Sequence, residues 1–145
     1  MSVETANALR LTRVIRAPRQ AVWDAWTQPE HMKRWSCPEP GGLKELSCDF
    51  RVGGAFELGM VAGGASHTAF GTYREIDAPR RVVYTWDWRE ESNQMGETLV
   101  TVEFNEVEGG TEVVLVHEGF PAMEAKTSHE EGWRACLEHF EAMFA

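Results

Sequence analysis

The sequence predicts an α+β domain in which a long C-terminal helix covers the apolar face of an antiparallel sheet. From Leu43 to about His117, apolar and polar residues alternate with the period of two that is typical of half-buried strands. From about Ser128 to the C-terminus, apolar residues recur at spacings of three and four, as in an amphipathic helix. A sheet and a helix that each have one apolar face can bury those faces against each other.

The N-terminal segment predicts one strand followed by two short helices. The stretch LRLTRVIRAP runs to Pro18, whose fixed φ suits the first turn of a helix. Apolar residues then recur at helical spacing: Val22, Ala25 and Trp26. Thr27 and Glu30 form a possible capping box that would start a second helix through PEHMKRW, and CPEPGG ends that helix.

About six strands in antiparallel hairpins come next, in segments that include FELGM, VVYTWDW, TLVTVEF and TEVVLVHE. EVEGGTE supplies a Gly-Gly turn, and VGGAF is expected to make an equivalent tight turn earlier, because such turns need positive φ. Asp49 and Arg51 precede VGGAF two residues apart on an expected strand, so their side chains share a face and could pair. Exposed ion pairs are common, which favours a structural role over chemistry.

The last helix presents one apolar face, formed by Trp133, Cys136, Leu137, Phe140, Met143 and Phe144. Ser128 and Glu131 offer a capping box, which would place His129 in the first turn. Gly132 costs about 1 kcal/mol relative to alanine in a helix, so we expect a local need for it. Close approach of the helix to the sheet, or space for a ligand, would explain it.

Composition and charge restrict the possible partners. The 145 residues fit one domain spanning 1–145, and 23 acidic against 14 basic residues disfavour nucleic acid. The N-terminus lacks a signal-peptide pattern and no apolar run is long enough to span a membrane, so we expect a cytoplasmic protein without a membrane partner. Cys37, Cys48 and Cys136 are widely spaced, which favours reduced thiols.

The sequence contains no motif that points to a metal or a cofactor, and we expect neither. No histidine pair has HExxH spacing, and there is no phosphate-binding loop, GxSxG or dinucleotide fingerprint. His117 falls on the expected inward face of its strand, where it could hold a polar group of a ligand or move a proton. The other interpretation is a hydrogen-bonded histidine near the end of a strand.

The aromatic residues favour an apolar ligand. Six tryptophans are more than a compact core of this size readily buries, and large rings with a polar atom are typical of concave ligand sites. Any single ring could equally fill the core. The predicted ligand-binding residues are Trp35, Phe56, Met60, Phe70, Tyr84, Trp86, Trp88, His117 and Trp133.

Five segments together resemble the family of homologues of the heat-shock protein 90 ATPase activator, within the START-like (SRPBCC, birch-pollen-allergen-like) superfamily. They are RVIRAPRQAVWDAWTQPEHMKRW, DFRVGGAFEL, GTYREIDAPRRVVYTW, TVEFNEVEGGTEVVLVHEGF and EGWRACLEHFEAMF. The resemblance covers about Leu9 to Phe144. It implies a helix-grip fold, in which a curved antiparallel sheet grips the long C-terminal helix and leaves a cavity gated by the two short helices. It also implies that the D-x-R-x-G-G motif is a feature of the fold.

The residues and the resemblance leave three functions open. The first is binding of a small apolar ligand, aromatic or lipid-like, by a monomer or homodimer. The second is regulation of a heat-shock protein 90 type chaperone ATPase. The third, by similarity to polyketide cyclases and aromatases, is an enzyme that uses His117, Tyr84 and Glu118. Because the sequence places no catalytic partner for His117, it favours a binding protein over an enzyme.

Overall fold

The computed structural model describes residues 7–39 and 41–145, and its elements follow the predicted order. One strand is followed by two short helices, six further strands and a long helix. Their bounds are β1 Ala8–Ile15, α1 Arg19–Thr27, α2 Pro29–Trp35, β2 Leu43–Cys48, β3 Ala55–Ala62, β4 Ala65–Asp77, β5 Arg81–Trp88, β6 Thr98–Val107, β7 Gly110–Glu118 and α3 Met123–Ala142.

The strands form one open, curved antiparallel sheet in the order β1-β7-β6-β5-β4-β3-β2. Strand β1 pairs with β7, so the first strand closes one edge and leaves β2 at the other. The pairing of β4 with β5 shifts register between Tyr73 and Glu75, and such a bulge bends a sheet. All three helices contribute buried residues to one core that they share with the sheet. A curved antiparallel sheet that packs against a long C-terminal helix is the predicted helix-grip fold, which is thereby confirmed.

Two inward positions of β4 carry small residues, Ala69 and Gly71. Ala69 pairs with Trp88 of β5, and Gly71 pairs with Phe56 of β3. A Cβ atom on Gly71 would lie 2.0 Å from the backbone oxygen of Thr85, so no larger residue fits there without a shift of the backbone. The ring of Phe56 lies over Gly71, since its Cε2 would be 2.8 Å from that Cβ.

The C-terminal half of α3 packs tightly on the two short helices. Phe140 is fully buried, and its ring lies 5.1 Å from that of Trp26 and 5.2 Å from that of Trp35, both in edge-to-face geometry. In the N-terminal half of the same helix, His129 contacts Trp88 of β5 and His117 of β7 instead. No helix in the described part of the chain is long and apolar enough to cross a membrane.

The two glycine turns differ from each other. Between β6 and β7, Val107 pairs with Gly110, and Gly109 has a φ of +87°, which confirms the predicted Gly-Gly hairpin turn. Strands β2 and β3 pair as the predicted hairpin, and the Gly54 N–H donates to the carbonyl of Arg51 at 2.8 Å, so the predicted tight turn is present. It lies within a six-residue loop over 49–54 and does not join the strands directly. Gly53 has a φ of +86°, and a Cβ on Gly54 would lie 2.0 Å from a backbone oxygen of the same loop. Gly53 therefore supplies the positive φ, and Gly54 permits the close approach of two backbone segments within the loop.

Asp49 and Arg51 lie in that loop and not on a strand, but they do pair. Arg51 Nε donates to Asp49 Oδ2 at 2.8 Å, with both side chains more than half exposed. Gly53 N also donates to the carbonyl of Tyr73, which fastens the loop to β4. An exposed pair of this kind contributes little to stability, so its part is to order the loop.

Neither predicted capping box forms. The hydroxyl of Thr27 donates to the carbonyl of Trp23 inside α1, and Gln28 stands at the N-cap of α2. Helix α3 begins at Met123, which places Ser128 inside it and moves His129 out of its first turn. The N-cap residue of α3 makes no side-chain cap bond, so no local signal marked this start.

Replacing Gly71 with alanine should lower the free energy of unfolding by about 1–3 kcal/mol, because the new methyl group meets the backbone of β5. Gly59→Ala on β3 is the matched control, since its Cβ would meet no backbone atom and would lie 3.2 Å from Glu45 Cβ, a much milder approach. Chemical denaturation of both variants measures the difference. Equal stability of the two would contradict the close approach at Gly71.

Candidate functional site: an aromatic cavity under the last helix

A cavity of about 550 Å³ lies between the sheet and the N-terminal half of α3. Strands β3, β4 and β5 form its floor, and α2, the 89–97 connection between β5 and β6, and α3 surround it. Small-molecule sites typically have volumes of about 300–1,000 Å³, so this cavity has room for a compound of two or three fused rings.

Most of the residues predicted to bind a ligand lie around this cavity. The seven that line it are Trp35, Phe56, Met60, Tyr84, Trp86, Trp88 and Trp133. The alternation of β3 and β5 placed their rings on one face of the sheet, and the helical spacing of α3 placed Trp133 opposite. Whether they contact a ligand stays a prediction.

Phe70 and His117 do not line the cavity. Phe70 lies on the opposite face of β4, where the guanidinium of Arg89 stacks over its ring at 3.8 Å, so the prediction that it faces the interior is wrong. The inward positions of β4 include Ala69 and Gly71, whose small size hid which face is buried. His117 does face the interior, but it is fully buried behind Trp133.

A chain of hydrogen bonds fixes the state of His117. Trp133 Nε1 donates to His117 Nδ1 at 3.0 Å, and His117 Nε2 lies 2.8 Å from Thr98 Oγ1. Because an indole N–H can only donate, Nδ1 must accept, and the neutral ring carries its proton on Nε2. Thr98 then donates to the carbonyl of Trp86. Burial, and secondarily the nearby His129, lower the pKa of His117 well below its usual value.

His129 takes part in a second hydrogen bond between an indole and an imidazole, and here the sheet donates and the helix accepts. Trp88 Nε1 on the sheet donates to His129 Nε2 on the helix at 3.0 Å, and His129 Nδ1 donates to the carbonyl of Ala125 at 2.8 Å. Burial lowers the pKa of this imidazole. His129 is not among the residues predicted to bind a ligand, although its position four residues before Trp133 puts both side chains on one face of α3.

Trp26 and His67 are further lining residues that the sequence analysis did not assign to the site. The ring of Trp26 lies 4.2 Å from that of Trp35, and its Nε1 donates to the hydroxyl of Tyr84 at 3.3 Å. Asn93 Nδ2 lies 2.6 Å from His67 Nδ1, which ties the 89–97 connection to β4. Trp26 was interpreted only as a helix core residue, because helical spacing does not show which partner a buried face meets.

The cavity is apolar inside and polar at one end. Exposed or half-exposed residues of the 89–97 connection and of the first turns of α3 form that rim: Ser92, Asn93, Gln94, Glu124 and Ser128. Deeper, burial raises the pKa of the Tyr84 hydroxyl and of the Cys136 thiol, so both stay protonated. Within 7–39 and 41–145, no three His, Cys, Asp or Glu side chains are grouped so that they could hold a metal ion.

The residues suggested for a cyclase-like reaction are not brought together. Tyr84 lines the cavity, His117 lies behind the wall with both ring nitrogens engaged, and Glu118 lies along a shallow depression on the outer face of the sheet. Adjacent residues of a strand point to opposite faces of the sheet, so His117 and Glu118 of β7 are separated.

Comparison with known proteins gives a consistent assignment. The profile of the family described as Activator of Hsp90 ATPase homolog 1-like protein matches residues 16–145. The chain is similar to the AHSA1 protein of Silicibacter pomeroyi, with 26% identity over 94% of this chain and 96% of that one, at a TM-score of 0.80. It is also similar to a protein from Chromobacterium violaceum, with 26% identity over 95% and 97%, at 0.78.

A protein from Rhizobium leguminosarum shares the fold at 23% identity over 94% of this chain and 93% of that one, at a TM-score of 0.82. No functionally curated protein matches the chain in sequence.

The fully buried His117 and the partly buried His129 predict that stability falls as the pH drops below about 6.5. Their pKa values are lowered in the fold, so the unfolded chain binds protons first, and the stabilisation present at neutral pH is lost on acidification. Each histidine should contribute a slope of up to about 1.4 kcal/mol per pH unit. Denaturation at about pH 7.5 and 5.5, above the range in which most carboxylates titrate, measures it.

His129→Gln is the informative variant for this prediction, because a glutamine oxygen can still accept from Trp88 but does not titrate. The slope should be smaller in the variant than in the natural protein. A stability that is flat over this range in the natural protein would contradict the assignment of two neutral, buried imidazoles.

Proposed function

The chain belongs to the family of Activator of Hsp90 ATPase homolog 1-like proteins, and from that premise we propose that it binds a small apolar molecule, aromatic or lipid-like, in the cavity under α3. The aromatic cavity of about 550 Å³ is the observation that carries this proposal. A helix lying on a solid core would leave no such space, since protein interiors are close-packed.

The walls of the cavity support the proposal because their rings are held in place. The indole N–H groups of Trp26, Trp35, Trp88 and Trp133 each donate to a protein acceptor. A wall whose side chains are already fixed loses little conformational entropy when a ligand enters, which favours affinity. The rings also offer offset and edge-to-face contacts to an aromatic guest.

Gly132 supports the same interpretation. It lines the cavity from α3, and a Cβ at this position would meet only Pro38 Cγ, at an ordinary 3.7 Å. Close packing of the helix on the sheet therefore does not require glycine here. Space beside the helix is the remaining reason from the sequence analysis, and it fits a ligand site.

Titration with the uncharged apolar dye Nile red should show one saturable site, followed by the dye's fluorescence. Gly132→Leu should weaken binding by about tenfold, because its side chain enters the gap between α3 and Pro38. Gly132→Ala is the matched control: it should bind dye like the natural protein and raise the free energy of unfolding by up to about 1 kcal/mol.

No saturable binding to the folded natural protein would refute the proposed function. Equal dye affinity in the leucine and alanine variants would show that the dye binds elsewhere.

Regulation of a chaperone ATPase is a second candidate, favoured by the description of the family. It needs a protein-binding surface and not the cavity, so the two candidates are separable. A purified heat-shock protein 90 type ATPase should then turn over ATP faster in the presence of this protein, and equally so with Gly132→Leu. An unchanged rate at excess protein, with no detectable association, would exclude this candidate.

A further inference from the structure

The cavity under α3 is elongated. On β5 it is lined by the four inward residues of the strand, Val82, Tyr84, Trp86 and Trp88. A strand rises about 3.3 Å per residue, so this lined stretch is about 20 Å long. On α3 the lining residues run from Glu124 to Cys136, which at about 1.5 Å per residue is about 18 Å. The strand and the helix therefore give the same length.

Helix α3 and strand β5 lie side by side along the cavity and run in opposite directions. Trp88 Nε1 donates to His129, and the ring of Trp133 lies 5.3 Å from that of Trp86. Four residues forward on the helix thus correspond to two residues back on the strand, a distance of about 6 Å on either element. The long axis of the cavity therefore follows both elements.

The cavity is also narrow. Spread over about 20 Å, its volume of about 550 Å³ leaves a mean cross-section of roughly 30 Å². Because non-bonded carbon atoms approach one another to about 3.5–4.0 Å, this width takes one hydrocarbon chain or one flat ring system lying lengthwise. Four of the surrounding indoles are held by hydrogen bonds, so they do not move aside freely for a wider guest.

Exposure to solvent increases from one end of the cavity to the other. Tyr84 and Cys136 are buried. Trp88 and His129 are half-buried further along the cavity, and Ser128 of the rim is exposed. The opening therefore lies at the end where β5 finishes and α3 begins.

Aromatic packing closes the other end. The ring of Trp26 lies 4.2 Å from that of Trp35, and Phe140 packs edge-to-face against both. All three rings are buried. The closed end thus offers apolar surface to a guest, whereas the rim at the open end carries hydroxyl, amide and carboxylate groups.

We infer that the ligand is a slender amphiphile with one hydrocarbon tail and one polar head, which enters tail first and leaves its head at the rim. This inference rests on the proposed function and names its ligand class. A tail that lies along β5 removes its methylene groups from water, while the head keeps its hydrogen bonds to water. A compact guest with as many carbon atoms is too wide for the cavity.

Alkyl glucosides test length and orientation together, because a sugar head is too wide to enter the cavity. Hexyl, octyl, decyl and dodecyl glucoside, each below its critical micelle concentration, are used to displace Nile red from the natural protein. Affinity should rise about fourfold for each added methylene group along this series.

A pair of alcohols tests shape. Dodecan-1-ol and cyclododecanol have the same number of carbon atoms and one hydroxyl group each, but one is linear and the other is a wide ring. Each affinity is divided by the octanol–water partition coefficient of the alcohol, which removes the difference in hydrophobicity. The corrected affinity of the linear alcohol should be about tenfold higher.

Cys136→Leu shortens the cavity near its closed end, because a larger side chain replaces a lining thiol. It should leave the affinity for hexyl glucoside unchanged and weaken dodecyl glucoside by about tenfold, the equivalent of about two methylene groups that no longer fit. Cys136→Ala is the matched control and should change neither affinity. Circular dichroism confirms that each variant is folded.

The outcomes separate this inference from the proposed function. If Nile red does not bind the natural protein, both fail. If Nile red binds but the glucosides do not displace it, or their affinity does not rise with chain length, only the inference fails. Equal corrected affinities of the two alcohols also overturn it, as does a folded Cys136→Leu that binds dodecyl glucoside like the natural protein. The two measurements on the natural protein decide even where the leucine variant does not fold.

Discussion

Two hydrogen bonds between indole and imidazole rings hold helix α3 where it cannot pack directly on the sheet. Trp133 of the helix donates to His117 of the sheet, and Trp88 of the sheet donates to His129 of the helix, each at 3.0 Å. Both bonds require a neutral imidazole, and burial keeps both rings neutral. The helix can therefore stand over a cavity and still be attached to the sheet on which it lies.

The cavity also depends on the packing of β3, β4 and β5. Phe56, Trp86 and Trp88 line it, and the ring of Phe56 lies over Gly71 of β4, where a Cβ would come within 2.8 Å of it. Filling β4 with larger residues would press on β5, as the 2.0 Å approach at Gly71 shows. The small size of Gly71 therefore permits both the close contact with β5 and the position of the Phe56 ring in the cavity wall.

The interior of the cavity is apolar because its polar side-chain atoms mostly form hydrogen bonds with other groups of the protein. Four of the five lining tryptophans donate their N–H to protein acceptors, so most donors of the wall are already used. An apolar site of this kind gains affinity from ring contacts and selectivity from a few polar atoms. The polar residues of the rim stay in contact with water.

The sequence by itself determined the order of the elements, the inward faces of β3 and β5, and the apolar stripe of α3. Periods of two and 3.6 are local properties, so seven of the nine predicted site residues were placed correctly around the cavity. Tertiary structure alone decided the face of β4 and the start of α3. Small inward residues gave β4 no clear alternation, and α3 begins without a capping side chain. Only the fold could join Trp88 to His129 across 41 residues, because no local pattern specifies which buried groups meet.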